Sequence, residues 1–374
     1  MSRRLKVALV TPYFPPNVGG IETYIYELAK RLAKNGVTVH VFTCGRGITE
    51  KYNGVKVYRL KAIDVQNLPI SLKIPYPIPP TLMFKLVKSD VDIIHAHGHA
   101  FITSFEAALA SQLAHKPFIL TIHDVGVAYQ DYMIMRGIRP IVDSTLVKYV
   151  FKQADMVIAQ NSTTYNYALR FKPRRMTIIP QGIDTSKFKP SRKEGKYITF
   201  IAARLVPQKG GETFIRSIPI VIKEIRKVRF MVIGDGLQRS TLENLAYELG
   251  VEDYVEFIGR VPHNYVPHYL DQAKIVVFPS EIPAGLTLIE AAAMKKPIIT
   301  SKTEWAIEDL GDAPIFIPTR NPSETAKAII YLLRNPHARK MVAKLVYRRV
   351  LGRSWDRVVS RHIEIYNEVM MRRG

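Results

Sequence analysis

Tyr197-Ile-Thr-Phe-Ile-Ala-Ala-Arg-Leu-Val-Pro-Gln-Lys-Gly-Gly211 decides the fold. Its first seven residues are β-branched or apolar without polar alternation, as in a strand buried on both faces. A short loop carrying Arg204 and Lys209 follows, then paired glycines and a helical pattern. Strand, loop and helix in that order form half of a parallel βαβ unit. Similar runs recur beyond it at Val228–Gly234, Val255–Ile258, Ile275–Pro279, Pro297–Thr300 and Ile315–Pro318. An earlier series comprises Leu5–Thr11, Val37–Thr43, Val55–Leu60, Val91–His97, Phe118–His123, Met156–Asn161 and Met176–Pro180. Amphipathic stretches separate them; in Glu22–Lys34 the stripe Ile21, Ile25, Leu28, Ala29 and Leu32 marks one apolar face. Two series of this kind predict an α/β chain of two doubly wound, Rossmann-like domains facing each other across a cleft. The polar stretch Lys187–Lys196 reads as the linker between them.

Composition narrows the function classes. The 374 residues suit two domains, and 47% hydrophobic with 23% charged residues is a globular balance. No run approaches the roughly 18 apolar residues that span a bilayer, and the apolar core at Val7–Val10 is too short for a signal peptide. The single cysteine, Cys44, excludes an internal disulfide framework; a cytoplasmic protein is expected. The net charge of +22 favours polyanions such as anionic lipid or phosphorylated small molecules. Its basic residues are dispersed, with local excess at Arg136–Lys152 and Arg170–Arg175, and nucleic-acid motifs are missing, so no nucleic-acid partner is expected.

Ligands of doubly wound sheets bind at the carboxyl ends of strands, which selects the loops to inspect. Pro15-Pro-Asn-Val-Gly19-Gly20 leads into a helix whose start suits phosphate or developing negative charge; a tight turn needing positive φ explains the glycines equally well. Arg204 and Lys209 supply two cations fit to neutralise a diphosphate. Gly234-Asp-Gly236 follows a strand, but lacks the third glycine and distal acid of a dinucleotide fingerprint. In Pro279–Glu290 the amides of Gly285, Leu286 and Thr287 suit phosphate, Glu290 suits ribose hydroxyls, and Glu281 is placed to reach a sugar. Asp90-Val-Asp92 has the spacing of a metal-holding aspartate pair but precedes its strand, away from the ligand edge, so no metal site is assigned. His95, His97 and His99 are spaced to share one strand face, for packing or substrate hydrogen bonds, with zinc a lesser alternative for want of a carboxylate or thiol partner.

Taken in order, Gly19-Gly20-Ile-Glu22, Asp92-Ile-Ile-His-Ala-His97, Thr121-Ile-His123-Asp, Ile179-Pro-Gln-Gly-Ile-Asp184, Arg204 with Lys209-Gly, Gly234-Asp-Gly236 and Gly285–Glu290 resemble the retaining glycosyltransferase family 4 (group 1), with the GT-B fold. The resemblance covers nearly the whole chain. It implies an acceptor-binding domain at 1–187, a linker at 188–196, a nucleotide-sugar domain at 197–350, and a last helix at 351–374 crossing back to the first. It implies that Arg204 and Lys209 contact the donor diphosphate, that Glu290 binds ribose, and that Gly20 lies near the phosphate and reacting sugar. His123 would face the sugar, with His97 also on the acceptor side. The implied reaction retains anomeric configuration by front-face attack, without cofactor or metal. Its donor is a UDP-, GDP- or ADP-linked sugar, and its acceptor a sugar, polysaccharide or lipid-linked hydroxyl. Peripheral contact with the anionic inner membrane surface is a further expectation from the basic excess. Two departures stand out. The family's first sugar-contacting glutamate falls at Ile282, with Glu281 displaced by one, and Gln181 replaces the asparagine common before Gly182. An epimerase, a phosphorylase or a catalytically silent nucleotide-sugar binder are the alternatives; no lysine is identified as a pyridoxal phosphate anchor.

Overall fold

A computed structural model describes residues 4–17, 19–63, 77–123, 125, 143–190 and 194–372. Val18, Asp124 and residues 136–142 of the basic excess lie outside these residues, as do 191–193 of the expected linker. The chain forms two compact units, Met1–Gln181 with Trp355–Gly374, and Gly182–Ser354.

The first unit holds an eight-stranded sheet of β1 (Lys6–Val10), β2 (Thr38–Gly45), β3 (Ile48–Tyr52), β4 (Val55–Lys61), β5 (Ile93–His97), β6 (Phe118–Ile122), β7 (Met156–Ala159) and β8 (Met176–Ile178). Their spatial order is β3-β4-β2-β1-β5-β6-β7-β8. All neighbours run parallel except β3 and β4. Strand periodicity divides the core: Val7 and Leu9 pack on one face with helices Gly20–Lys34 and Trp355–Met371, whereas Ala8 and Val10 pack on the other with Ile102–Leu113 and Lys148–Gln153. Because helices cover both faces, β1 carries no polar alternation. Strand β3 is absent from the runs expected on sequence. It is joined to β4 by Asn53-Gly54, whose φ values of 48° and 88° are both left-handed, as a two-residue hairpin turn requires.

The second unit holds β9 (Tyr197–Arg204), β10 (Arg229–Asp235), β11 (Val255–Gly259), β12 (Ala273–Phe278), β13 (Ile298–Ser301) and β14 (Ile315–Ile317), ordered β11-β10-β9-β12-β13-β14 and wholly parallel. At its centre Phe214, on helix Gly211–Glu224, meets Phe200 at 5.6 Å and Phe230 at 5.9 Å between ring centroids. Such aromatic contacts add about 0.5–1.5 kcal/mol each beyond the area they bury.

The unit boundary lies before the expected linker. Ile183 and Phe188 are each 2% exposed and belong to the second unit's core. The Ile183 amide donates to the Arg353 carbonyl at 2.7 Å, the Lys196 amide to the Gln272 carbonyl at 2.9 Å, and Arg339 pairs with Glu194. Lys187–Lys196 is polar in composition, yet these anchors fasten its described residues to the second sheet. Residues 351–354, expected with the final helix, also fall in the second unit, where Ser354 bridges Ile183.

Candidate active site

In the second sheet the strand order reverses between β9 and β12, the place at the carboxyl edge where doubly wound sheets bind ligands. The loops leaving these two strands are stitched together. The Glu281 amide donates to the Gln208 carbonyl at 2.8 Å, the Ser280 hydroxyl to the same carbonyl at 3.2 Å, and Lys209 Nζ to the Pro283 carbonyl. Gly210 permits this closeness: its φ is +79°, and a Cβ there would lie 2.0 Å from the Pro279 carbonyl oxygen. Arg204 is exposed at the end of β9 and Lys209 is half-buried. Burial, with the neighbouring Arg204 guanidinium second, lowers the Lys209 ammonium to about 8. The loop thus holds a cation whose hydrogen-bond partner is a neutral carbonyl.

Gly285 begins helix Leu286–Ala293 with φ +69° and ψ −146°, a combination confined essentially to glycine, and no side chain caps the helix start. The amides of Leu286 and Thr287 are therefore not engaged by a capping side chain, beside the loop that Lys209 contacts. Gly234 and Gly236 back the same edge. A Cβ on Gly234 would meet the Ala202 carbonyl oxygen at 1.8 Å, and one on Gly236 the Leu205 backbone at 2.9 Å. Their role here is to let the β10 turn close on the β9 loop, where Leu205 N donates to the Asp235 carbonyl at 2.9 Å.

Two partners were missed in the sequence. Glu290, 3% exposed, receives His263 Nε2 on Oε1 at 2.6 Å. His263 stands in the loop after β11, its ring 5.6 Å from Phe188. Burial alone would lower His263, but the hydrogen bond and charge of Glu290 outweigh it and raise its pKa. Glu281 is gripped by Arg320, Nε to Oε1 at 2.6 Å and Nη2 to Oε2 at 3.0 Å. Arg320 follows β14, so both missed residues occupy strand-end loops, the one sequence signal that marks them.

In the first unit the order reverses between β1 and β5. Gly19 has an extended φ of −177° and Gly20 opens the helix, so neither glycine serves a left-handed turn. A Cβ on Gly19 would instead meet the Glu22 carboxylate, 2.1 Å from Oε2, while Gly20 faces open space. At the ends of β5 and β6, His97 Nδ1 lies 3.1 Å from His123 Nε2. His97 is fully buried, whereas His123 is half-buried. His95 is satisfied on both nitrogens, by the Tyr366 hydroxyl at 2.8 Å and the Thr121 hydroxyl at 2.7 Å. Burial, then neighbouring imidazoles, holds His95 and His97 well below the ordinary histidine range. His99 does not share their face: after Gly98, with φ +88°, it packs against Phe151 and Tyr167 on the opposite side. Asp90 pairs with Lys6 Nζ at 2.5 Å and Asp92 accepts the Lys6 amide at 2.8 Å, at the amino end of the sheet.

Among the described residues no helix is long and apolar enough to cross a membrane. The family model of glycosyltransferase family 4 matches residues 18–187, and that of glycosyl transferases group 1 matches residues 182–349. The chain is 26% identical to a phosphatidylinositol N-acetylglucosaminyltransferase subunit of Arabidopsis thaliana, over 98% of this chain and 83% of that one. It is 25% identical to an uncharacterized glycosyltransferase of Methanocaldococcus jannaschii, over 99% of this chain and all of that one. Among solved structures, sucrose-phosphate synthase of Thermosynechococcus elongatus matches with a TM-score of 0.78 at 22% identity, over 98% of this chain and 100% of that one. Anabaena HepE in complex with UDP and glucose matches at 0.77 and 18%, with the same coverage. The ordered motifs, the two parallel-sheet domains and the paired family matches together make this chain a member of the family 4, group 1 glycosyltransferases, with the GT-B fold.

Proposed function

We propose that the chain moves a sugar from a nucleoside-diphosphate sugar to a hydroxyl acceptor with retention of configuration. The supporting observation is the Arg204–Lys209 loop, tied to the uncapped helix start at Gly285 on either side of the β9–β12 reversal. Two cations and convergent amides suit the charge that develops on a departing diphosphate. The anomeric carbon–phosphate oxygen bond breaks, the acceptor oxygen bonds the same face, and its proton passes to the leaving diphosphate. Glu290, oriented by His263, receives the ribose hydroxyls. Gly19 and Gly20 admit the phosphate and reacting sugar to the first unit's helix start, and His123 faces the sugar. Glu281 is held by Arg320, so sugar recognition through Glu281 requires that pair to open or to act together. Incubation with UDP-, GDP- and ADP-sugars, beginning with UDP-N-acetylglucosamine because of the Arabidopsis relative's name, tests the proposal by nucleotide release and by the product's anomeric configuration. Release with an inverted product would remove retention; binding without release across donors and acceptors would favour a silent binder.

Lys209 gives the site a pH signature. Its free ammonium titrates near 8, and a bound diphosphate would raise that value, so binding takes up protons. UDP affinity is expected to hold below pH 8 and fall by about tenfold per unit above it, until the complex's own pKa is reached. Calorimetry in buffers of different ionisation enthalpy reads the uptake; a flat affinity between about pH 7 and 9.5 contradicts it.

The acceptor is proposed to be lipid-linked, supported by the net charge of +22 and the phosphatidylinositol in the relative's name. Each basic residue near an anionic surface adds about 1 kcal/mol of attraction. The protein is expected to co-sediment with phosphatidylserine-containing vesicles at low salt and to be released at high salt. Its remaining in the supernatant at low salt would end the lipid-surface reading.

A further inference from the structure

We infer that Glu106 and Thr103 form a hydroxyl-binding subsite for a neutral polyhydroxy ring of the acceptor, resting on the reading that the acceptor is a hydroxyl compound. Both residues stand in the opening turns of helix Ile102–Leu113, three positions apart and therefore on one face. The helix leaves β5, so the pair lies at the carboxyl edge of the first sheet. Cys44, next to last in β2, senses Glu106: burial first, then the Glu106 charge, pushes its thiol up to about 12. Strand β1 runs between β2 and β5, so these groups span the β1–β5 reversal, the place where doubly wound sheets bind ligands.

Both side chains lack protein partners among the described residues. Thr103 is 1% exposed, and its Oγ1 is enclosed without a hydrogen bond. Its neighbour Ser104 shows the usual solution, donating to the Gly98 carbonyl at 2.5 Å. Glu106 Oε2 is likewise enclosed and unpartnered, while the residue as a whole is only half-buried, so its side chain still reaches the surface. Native proteins leave few such groups unserved, and each calls for an occupant. Nor does a cation offset the carboxylate. The helix packs against β1, β5, β6, Leu82–Val87 and Lys148–Gln153. These carry Lys85, Lys148, Lys152, Tyr149 and the buried, neutral His95 and His97, yet burial alone governs Glu106 and pushes it up to about 7. The Cys44 thiol stays neutral throughout that range. What the carboxylate lacks is hydrogen-bond donors, which sugar or polyol hydroxyls supply, with the Thr103 hydroxyl serving a neighbouring oxygen. An anionic group would meet a like charge here, so the subsite takes the uncharged ring of an acceptor and not its phosphate.

Carbon-13 carboxyl spectra of the full chain, labelled at its glutamates and assigned with Glu106→Gln, read the group directly. The Glu106 midpoint is expected near 7 in the protein alone. Saturating methyl glucoside, methyl mannoside or inositol, all neutral polyhydroxy rings, should lower it by about one unit or more, because hydroxyl donors favour the ionised form. An ordinary midpoint near 4.5, or one that none of these rings moves, overturns the subsite. In transfer assays with the best of these acceptors, Glu106→Leu should raise acceptor KM by roughly tenfold or more, with donor KM little changed. Acceptor KM of the parent should fall as pH rises from about 6 to 8, and that slope should vanish in Glu106→Gln, which keeps the shape without the titration. Transfer with an unmoved acceptor KM in Glu106→Leu overturns the acceptor role. A midpoint that moves with the ring while no donor is turned over upholds the hydroxyl subsite and removes the transfer reading instead.

Discussion

Lys209→Ala is expected to lower kcat/KM by about 10³-fold while the folded chain survives. Single preorganised charges or donors at developing anions contribute about 10²–10³ in rate, and phosphoryl-binding cations more. Lys209 sits at the upper end because it is half-buried, beside a second cation, with a carbonyl rather than a carboxylate as its hydrogen-bond partner. No charge on the protein needs to be released before it meets the diphosphate. The fold should tolerate the loss, because the variant removes one surface-loop hydrogen bond and no core packing; a thermal midpoint within a few degrees of the parent is expected. Steady-state kinetics with the best donor and a melting curve together check this. Full activity in the variant would move the diphosphate to another part of the sheet edge.

Gly234→Ala is expected to destabilise the second unit by about 3 kcal/mol or more, the largest stability effect at the site. Two costs combine: φ of +133° is disfavoured for a side-chain-bearing residue, and the new Cβ would start 1.8 Å from the Ala202 carbonyl oxygen. That oxygen is backbone of β9, so relief requires shifting the strand that carries Arg204. For a unit of this size the midpoint should fall by about 6–12 °C, with nucleotide binding weakened in the remaining folded fraction. A variant melting within about 2 °C of the parent would show that the β10 turn can relax.

How far the sequence carried these expectations differs along the chain. Buried parallel strands announce themselves locally, since β1, β6, β9 and β12 are mainly apolar or β-branched without strict polar alternation, and β5 interrupts its aliphatic residues only with histidines. The loops carrying Arg204, Lys209 and Gly285 follow from those strands by position alone. What escaped was decided by contacts distant in sequence. His263 meets Glu290 across 27 residues and Arg320 meets Glu281 across 39, and neither pairing leaves a periodic trace. Strand β3 escaped because its mostly exposed residues, Ile48-Thr-Glu-Lys-Tyr52, lack a buried strand's apolar signal, although the Asn53-Gly54 pair that turns it into β4 stands in the sequence. His99 left its expected face because the left-handed Gly98 breaks the strand's alternation, and Ile183 and Phe188 were obscured by the lysines and serines around them.

A crystal structure of the chain with a bound nucleoside diphosphate tests the central claim most directly. Expected are the terminal phosphate against Arg204, Lys209 and the Gly285–Thr287 amides, with the ribose hydroxyls on Glu290. A diphosphate seated elsewhere, with Lys209 still on the Pro283 carbonyl, would contradict it.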